Sequence, residues 1–437
     1  MSNSRAVQSL AKLITFQTVS VRGEPDANLE QFEGLRAYIK ERYPNVFTHC
    51  TCERHGNSGL LLHLAGKTAV QPSALMAHYD VVDVSDGWQE PPFGGVIKDD
   101  VLWGRGAIDT KVTLCAILEA AETLLAEGYT PAHDLYLAFS GDEEIMGTSA
   151  PAIVDALAAR GIRLAFVLDE GGAIVSGIFP GVDKDCAVIG IAEKGMADLM
   201  LSAASAAGHA SSPPKITALG KISKAICRIE AHPFKQHLVG PVRSMLSYLG
   251  GHSKKGAIRL IFANLALTAP IVKLICRVSG GELAAMSRTT CAFTMAKGSS
   301  QANVLPKSAC ATTNLRILQG DTVESVMARI KRFAGSDITV TKVYSAEPSK
   351  ISKLDDRYDL LADTIRENWR DMLVTPYLMM ACSDSRHFCR ISDNVYRFTP
   401  LGLSGEDRAL IHADNERIAT CKVDDCVEFY KKLIRKL

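Results

Sequence analysis

Two histidines and five acidic residues of this sequence are of the types that bind divalent metal ions in proteins. Together they offer enough donors for two zinc-like ions and leave one carboxylate free to act as a base. A bound metal polarises a carbonyl and makes hydroxide from water, which is what cleaving an amide at neutral pH requires. In chain order the residues are His78, Asp80, Asp109, Glu143, Glu144, Asp169 and His412.

Two of these groups have a spacing that favours a metal site. His78 and Asp80 are one residue apart, so on a strand both side chains face the same side. A carboxylate beside an imidazole ligand fixes its tautomer and strengthens it as a donor. Asp142, Glu143 and Glu144 follow an apolar segment, where adjacent like charges repel unless cations neutralise them. A solvated, acidic helix start is the alternative for these three acids.

The other three residues have ordinary alternatives when each is taken alone. Asp109 stands just before a helical pattern, where an aspartate is often an N-cap. Asp169 ends an apolar segment, and His412 lies in a polar stretch where a plain loop histidine is the alternative. Their order along the chain, together with the other four residues, favours the metal site over these alternatives.

The elements that must position these residues alternate between helices and short apolar strands up to about residue 190. His78, Glu143 and Asp169 each follow or close such a strand, at 73–77, 134–140 and 163–168. Open α/β sheets bind ligands at the carboxyl ends of their strands. The pattern therefore predicts an α/β class, with a mixed sheet and flanking helices.

The pattern changes between residues 195 and 346, where the elements follow in the order β-α-β-β-α-β of a ferredoxin-like α+β unit. An apolar helical insertion, at about 233–288, is added after the first helix of this unit. The first pattern resumes afterwards and includes His412. We therefore predict a metal-binding domain made of 1–194 and 347–437, interrupted by a lid domain at 195–346.

Composition narrows the class of protein. The 437 residues carry a net charge of +1, which gives no electrostatic footprint for nucleic acid. Twelve cysteines without a CxxC motif predict reduced thiols and a cytoplasmic protein.

The N-terminus has an amphipathic pattern rather than that of a signal peptide. The apolar stretch 257–276 contains charged residues and a proline, so we predict a helical hairpin broken near Pro270 and no membrane span.

Nine short motifs extend over nearly the whole chain. They are HYD, WGRGAIDTK, SGDEEIMG, LDEGG, GHASSPP, NVLP, LRILQGD, SDSRHF and IHADNERI. With them the chain resembles the aminoacylase/carboxypeptidase family of di-zinc metallopeptidases, most of all its carboxypeptidase S and N-fatty-acyl-amino-acid hydrolase branch. The resemblance implies a zinc-exopeptidase-like fold with an inserted lid domain, and a homodimer formed through that lid.

The resemblance also implies a role for each matching residue. Two divalent ions are implied, zinc in the first place, although histidine and carboxylate ligands also accept cobalt or manganese. By this resemblance His78 and Asp169 would hold one ion, Glu144 and His412 would hold the other, and Asp109 would bridge the two. Glu143 would be the general base, and Asp80 would orient His78.

Three residues of the predicted lid domain are interpreted as substrate-binding. His209 is predicted to donate to a developing oxyanion, and the alternative is a turn histidine. Asn303 is predicted to hold substrate through its amide. Arg316 is predicted to clamp a terminal carboxylate with its two-pronged guanidinium, and the alternative is a solvent-facing strand residue.

The function predicted from all of this is hydrolysis of an amide or peptide bond next to a free carboxylate, by a carboxypeptidase or an N-acyl-amino-acid amidohydrolase. Small peptides and N-acyl amino acids are the predicted substrates. An aminopeptidase or a desuccinylase-like deacylase is the alternative enzyme, and a non-catalytic binding protein on the same scaffold is the alternative of another class. For the apolar insertion, packing on the lid, a subunit contact and a groove for an acyl chain all remain open.

Overall fold

The computed structural model describes residues 3–437, and the chain divides into two compact units. The first unit contains the residues up to Ile191 together with Lys350–Tyr377 and Ser383–Leu437. The second unit contains Ala192–Ser349 and Leu378–Cys382. The main borders therefore lie three residues from those predicted at 194 and 347.

The elements are numbered in chain order over the described residues. The helices are α1 (Arg5–Ile14), α2 (Leu29–Arg42), α3 (Pro44–His49), α4 (Lys111–Ala126), α5 (Ser149–Ala159), α6 (Ala218–Glu230), α7 (Gly240–Gly251), α8 (Gly256–Ala263), α9 (Leu265–Ser279), α10 (Gly281–Met286), α11 (Val323–Ala334), α12 (Asp356–Asn368), α13 (Ser385–Phe388), α14 (Gly405–Ala409) and α15 (Thr420–Lys436). The strands are β1 (Cys50–His55), β2 (Gly59–Leu64), β3 (Thr68–His78), β4 (Val96–Lys98), β5 (Val101–Trp103), β6 (His133–Ser140), β7 (Phe166–Asp169), β8 (Ile174–Val175), β9 (Cys186–Glu193), β10 (Gly195–Ala204), β11 (Gly208–His209), β12 (Thr290–Lys297), β13 (Val304–Leu305), β14 (Ser308–Ile317), β15 (Thr339–Ala346), β16 (Leu373–Met379), β17 (Val395–Arg397) and β18 (Arg417–Ala419).

A large mixed sheet organises the first unit, with strand order β1-β2-β6-β3-β7-β17-β9-β16 and β8 paired with β9. Its middle strands β6, β3 and β7 are parallel, whereas β1 and β2 are antiparallel. The last seven residues of β3 are all buried, as expected for a strand covered on both faces. The predicted α/β class with a mixed sheet and flanking helices is confirmed.

The three parallel strands bring their polar ends to one edge of this sheet. His78 at the end of β3 is in register with Ser140 at the end of β6. On the other side of β3, Leu75 is in register with Leu168, one residue before the end of β7. The segments that follow β3, β6 and β7 therefore start next to one another, and these are the segments that contain the predicted ligands.

The second unit is built on a four-stranded antiparallel sheet of order β12-β14-β10-β15. Buried residues alternate along β14, so one face of the sheet meets the core. In that core the apolar residues of helices α6 and α11 pack against those of the sheet. The elements of this unit follow the predicted order β-α-β-β-α-β, with the insertion between α6 and β12.

The insertion contains the four helices α7 to α10 rather than one hairpin broken at Pro270. The sharp bend, of 114°, lies between α8 and α9 at Asn264. There the Asn264 amide donates to the Leu260 carbonyl at 2.8 Å, which satisfies an acceptor that the end of α8 leaves free. Pro270 lies within α9, so the prediction of a break near Pro270 was wrong.

No single helix within residues 3–437 combines the length and the apolar composition needed to cross a membrane. The bent pair α8 and α9 meets that criterion only when both helices are taken together.

Candidate metal centre

His78 is buried at the end of β3, and its two ring nitrogens have different neighbours. Nδ1 lies 3.0 Å from the backbone oxygen of Asp80 and 3.3 Å from its Oδ1. Nε2 lies 3.0 Å from Oδ1 of Asp109. With the proton on Nδ1, the lone pair of Nε2 points towards the acidic cluster, which is the arrangement of a histidine ligand.

Asp80 also fixes the segment that follows β6. Its carboxylate accepts hydrogen bonds from the backbone N–H groups of Glu143 and Glu144, at 3.2 and 3.1 Å, and from the Ser20 hydroxyl at 2.7 Å. One fully buried carboxylate thus holds both the imidazole of His78 and the backbone of the two glutamates. Asp80 is a positioning residue for both.

Asp109 lies between the two histidines. Its Oδ1 faces Nε2 of His78, and its Oδ2 lies 2.9 Å from Nε2 of His412. Burial alone would raise the pKa of Asp109, but the two imidazoles reverse this and hold it well below its usual range. The carboxylates of Asp109 and Glu144, which face its Nε2, raise the pKa of His412 to about 10. The carboxylate of Asp109 is therefore placed to bridge two metal sites.

Two short strands bring His412 to Asp109 from more than three hundred residues away along the chain. β18 pairs with β5, with Arg417 opposite Trp103, and the Gly104 amide donates to the Glu416 carbonyl at 2.9 Å. The segments that contain Asp109 and His412 extend from this pairing towards the same place. His412 itself adopts a left-handed backbone conformation, with φ of 62°.

The neighbour of His78 from the end of β7 is Glu170 rather than Asp169. Oε1 of Glu170 lies 3.4 Å from Nε2 of His78. Oδ2 of Asp169 instead accepts the backbone N–H of Ser385, at 3.0 Å. The sequence pattern predicts Asp169 as a ligand, whereas the geometry favours Glu170. The LDEGG motif contains both acids, and which of two adjacent residues faces the site depends on how the short strand ends.

Potential ligand atoms come together in two overlapping groups among residues 3–437. In each group the atoms lie within 4.8 Å of one another, and His78 belongs to both. One group adds Asp109 and Glu144, and the other adds Glu143 and Glu170. With His412, which faces Asp109 and Glu144, the structure brings together four of the five predicted ligands, and it adds Glu170.

The electrostatics of this cluster fit bound cations. Burial, followed by the charge of Asp109, raises the pKa of Glu170 to about 8. Burial also raises the pKa of Glu143 well above its usual value, with the carboxylates of Asp384 and Glu170 adding to the effect. Carboxylates crowded away from water are costly unless positive charge compensates them.

One buried carboxylate oxygen of the cluster is available to bind a cation. Oε1 of Glu144 is buried and has no hydrogen-bond partner among the described residues, although it lies 3.2 Å from Nε2 of His412. Such a buried oxygen needs a partner. Imidazole nitrogens and carboxylate oxygens are the donors that zinc, cobalt and manganese accept. The residues therefore fit a pair of divalent ions.

A buried ion pair that the sequence analysis did not single out supports the Asp109 segment. Glu416 is 0% exposed and accepts four hydrogen bonds, from the Arg105 guanidinium at 2.8 Å and from the backbone N–H groups of Gly106, Ile108 and Asp109 at 3.1, 2.7 and 3.1 Å. Arg105 also donates to the carbonyl of His412 at 3.3 Å. Both residues lie in the motifs WGRGAIDTK and IHADNERI, but a pairing over 311 residues leaves no local pattern in the sequence.

Replacing Glu416 by glutamine is expected to weaken metal binding by about 10–100-fold, because the segment that holds Asp109 loses its charged acceptor. Leaving Arg105 buried without its partner is also expected to cost about 3–5 kcal/mol of unfolding free energy. Metal titration and urea unfolding measure the two effects. Glu90→Gln, which removes an ion pair with exposed Lys98, is the control and should change neither. Unchanged metal affinity in Glu416→Gln would contradict the positioning role.

The three predicted substrate residues lie in the second unit. His209 is on β11 opposite Val304 of β13, and the Ala210 amide donates to the Asn303 carbonyl at 3.0 Å, so His209 and Asn303 are close to each other. Arg316 is on β14, where its guanidinium donates to Oδ1 of Asn314 at 3.2 Å and contacts the Cys382 sulfur at 3.6 Å. Their substrate-binding roles stay predictions.

Comparison with known proteins gives the family. The model of peptidase family M20/M25/M40 matches residues 74–436. The chain belongs to this family. It is 35% identical to the N-fatty-acyl-amino acid synthase/hydrolase PM20D1 of Mus musculus, over 98% of the chain and 87% of that protein. It is 32% identical to the probable carboxypeptidase S-like 2 of Dictyostelium discoideum, over 100% of the chain and 85% of that protein.

A solved structure shares the fold of this M20 chain. The M20 family metallo-carboxypeptidase Sso-CP2 from Sulfolobus solfataricus superposes with a TM-score of 0.71 at 17% identity, covering 99% of each chain. The family model and the two relatives confirm the resemblance seen in the sequence motifs. The protein is a metal-dependent hydrolase of amide or peptide bonds.

Proposed function

We propose that this M20 hydrolase uses two zinc ions to split N-acyl amino acids that carry a long apolar acyl chain, releasing a fatty acid and an amino acid. The observation that carries the two-ion site is the position of Asp109, with one oxygen towards each of two histidines. The acyl group is proposed from the name of the Mus musculus relative, which aligns over nearly the whole chain.

The ligands divide between the two sides of Asp109. His78 and Glu170 would hold one ion, His412 and Glu144 the other, and Asp109 would contact both. When bound, such ions polarise the scissile carbonyl and lower the pKa of a water molecule towards neutrality. Zinc suits this set of nitrogen and oxygen donors, and cobalt or manganese are the alternatives.

Glu143 is proposed as the general base. It belongs to the cluster, yet the division above does not need it as a ligand. Glu143 would accept the proton of the attacking water and deliver it to the amine nitrogen as the amide bond breaks. Asp80 would keep Glu143 in place through the backbone hydrogen bond described above.

Three further assignments are proposals of the same kind. His209, Asn303 and Arg316 would bind the substrate, with the guanidinium of Arg316 facing the free carboxylate.

The homodimer and the cytoplasmic location also stay predictions. None of the twelve cysteines forms a disulfide in the part of the chain that the structure describes, which is what a reducing compartment would favour.

A second candidate is a carboxypeptidase, which the similarity to the carboxypeptidase S-like protein of Dictyostelium discoideum favours. Both activities act next to a free carboxylate and differ in the group that is released from it. A dipeptide with a blocked N-terminus and an N-acyl amino acid with the same C-terminal residue separate the two.

The experiment measures kcat/KM in the zinc-loaded enzyme for three N-acyl derivatives of phenylalanine and for a blocked dipeptide that ends in phenylalanine. The N-oleoyl derivative is expected to exceed the N-acetyl derivative by at least about tenfold, because a longer chain removes more apolar surface from water. The N-oleoyl phenylalanine amide should lose at least about a hundredfold, because a site built to pair a charge rejects a substrate that lacks it. A rate independent of chain length, with a faster blocked dipeptide, would favour the carboxypeptidase. Full activity on the amide would contradict both candidates, because each of them requires the free carboxylate.

A further inference from the structure

Helix α9 has apolar residues on two opposite sides, and only one of these sides is covered. The residues on the covered side are Leu265, Val272 and Cys276. The uncovered side presents Leu267, Ile271, Leu274 and Val278, which are 84%, 50%, 60% and 78% exposed. At about 100° per residue these four positions fall within one narrow stripe along the helix. An ordinary surface helix would have polar residues there.

The exposed apolar residues are concentrated in this part of the protein. Leu260 of α8 is 69% exposed and adds to the four residues of α9. Five of the fourteen large hydrophobic residues that are exposed among residues 3–437 thus fall between 260 and 278. Single exposed hydrophobic residues are normal on protein surfaces, whereas a contiguous patch marks a place that binds something.

The segment that contains this stripe is strongly basic. Residues 232–281 contain no aspartate or glutamate, and their seven positive charges contrast with a net charge of +1 for the whole chain. The rest of the protein is therefore at −6, so the positive charge is local. The seven residues are Lys235, Arg243, Lys254, Lys255, Arg259, Lys273 and Arg277. Lys254, Lys255, Arg259 and Arg277 are exposed.

Basic residues lie beside the exposed apolar residues of α8 and α9, so a partner must offer both negative charge and an apolar layer. Lys273 and Arg277 follow Ile271 and Leu274 along α9, and Arg259 precedes Leu260 on α8. Long basic side chains can extend to a polar layer while the apolar residues beside them enter an apolar one. We propose that this α8–α9 face, consisting of the five exposed apolar residues and the basic residues beside them, docks on an anionic phospholipid surface.

A second copy of the chain fits this face less well. In a symmetric dimer the same surface of each copy meets itself, so an acid-free basic surface would face another of the same sign. Like charges brought together in this way oppose association. An anionic lipid surface offers both an apolar layer and negative head groups, which are the two properties that the face matches.

The geometry of the helices favours lying in the interface over spanning the membrane. At about 1.5 Å per residue, the fifteen residues of α9 extend about 22 Å, less than the hydrocarbon core of about 30 Å. The bend of 114° at Asn264 turns α8 away from the axis of α9. The stripe of α9 would therefore enter the boundary between head groups and acyl chains.

The test measures co-sedimentation of the zinc-loaded, full-length protein with phospholipid vesicles. Vesicles of phosphatidylcholine with about one-third phosphatidylserine should bind it at least about tenfold more strongly than pure phosphatidylcholine. Raising the salt from about 0.1 M to about 0.5 M should weaken that binding several-fold, since the head-group attraction is screened.

Two variants of the face separate its apolar and basic parts. The variant L267S/I271S/L274S/V278S should lose at least about tenfold of the vesicle binding, because the apolar side chains no longer enter the interface. The variant R259Q/K273Q/R277Q should lose the preference for phosphatidylserine. The matched control is L29S/V70S/V343S/L354S, which removes four exposed apolar side chains elsewhere and should bind as the wild type does. Hydrolysis of a soluble N-acetyl amino acid verifies that each variant is folded.

Three results would overturn the proposal. The first is a wild-type protein that does not bind phosphatidylserine vesicles at low salt. The second is an equal loss of binding in the stripe variant and in its matched control. The third is light scattering that finds a wild-type dimer and a monomeric stripe variant, with no vesicle binding by either, because the face would then be a contact between copies.

Discussion

Glu143→Gln is expected to lower kcat by about 10²–10⁴-fold and to leave the bound metal unchanged. Glutamine has the shape of glutamate but cannot accept the proton of the attacking water, so the contribution of general base catalysis is lost. The backbone hydrogen bond from residue 143 to Asp80 does not involve the exchanged side chain and should persist. Single-turnover kinetics and metal analysis of the same protein preparation measure both quantities.

The neighbouring residue supplies the matched control for this prediction. Glu144→Gln makes the same chemical change one position further, at the side chain whose Oε1 lies 3.2 Å from His412. It should lose metal as well as activity, and excess zinc should restore part of the activity. If Glu143→Gln instead loses metal as Glu144→Gln does, Glu143 is a ligand. If Glu143→Gln turns over like the wild type, it is not the base.

Glu170→Gln is expected to remove one of two bound ions, with a loss of affinity above the roughly 10–100-fold that the removal of an outer hydrogen-bond partner costs. The reason is that Glu170 has an oxygen 3.4 Å from the ring nitrogen of His78. Asp169→Asn is the matched comparison, because Oδ2 of Asp169 accepts a hydrogen bond from the N–H of Ser385. The Asp169→Asn variant should still bind two ions, and its metal affinity should fall by no more than the loss of an outer hydrogen-bond partner costs.

Metal content after dialysis at a fixed free zinc concentration measures this difference. One equivalent in Glu170→Gln and two in Asp169→Asn is the expected result. The reverse outcome, with the ion lost only from Asp169→Asn, would return the ligand role to the residue that the sequence pattern predicts.

Much of the site could be predicted from the sequence because the parallel strands leave a clear pattern. The buried parts of β3 and β6 are apolar segments that end at His78 and at Ser140, just before the acidic cluster. Parallel neighbours such as these end at the same edge of a sheet. The order of elements in the second unit could also be predicted, because amphipathic helices and alternating strands differ in their period.

Other features depend on contacts that no local pattern contains. Asp169 and Glu170 are adjacent acids, and the end of a four-residue strand decides which of them faces His78. The role of Glu416 depends on Arg105, which is 311 residues earlier in the chain. The bend between α8 and α9 lies at Asn264 because that side chain satisfies a helix end, whereas Pro270 is accommodated within α9.

Anomalous diffraction at the zinc edge, from crystals of the protein saturated with zinc, tests the central claim most directly. Two peaks are expected at the carboxyl edge of the large sheet. One should contact His78 and Glu170, the other His412 and Glu144, and Asp109 should contact both. A single peak, or zinc bound away from Asp109 at saturating concentration, would contradict the two-ion site.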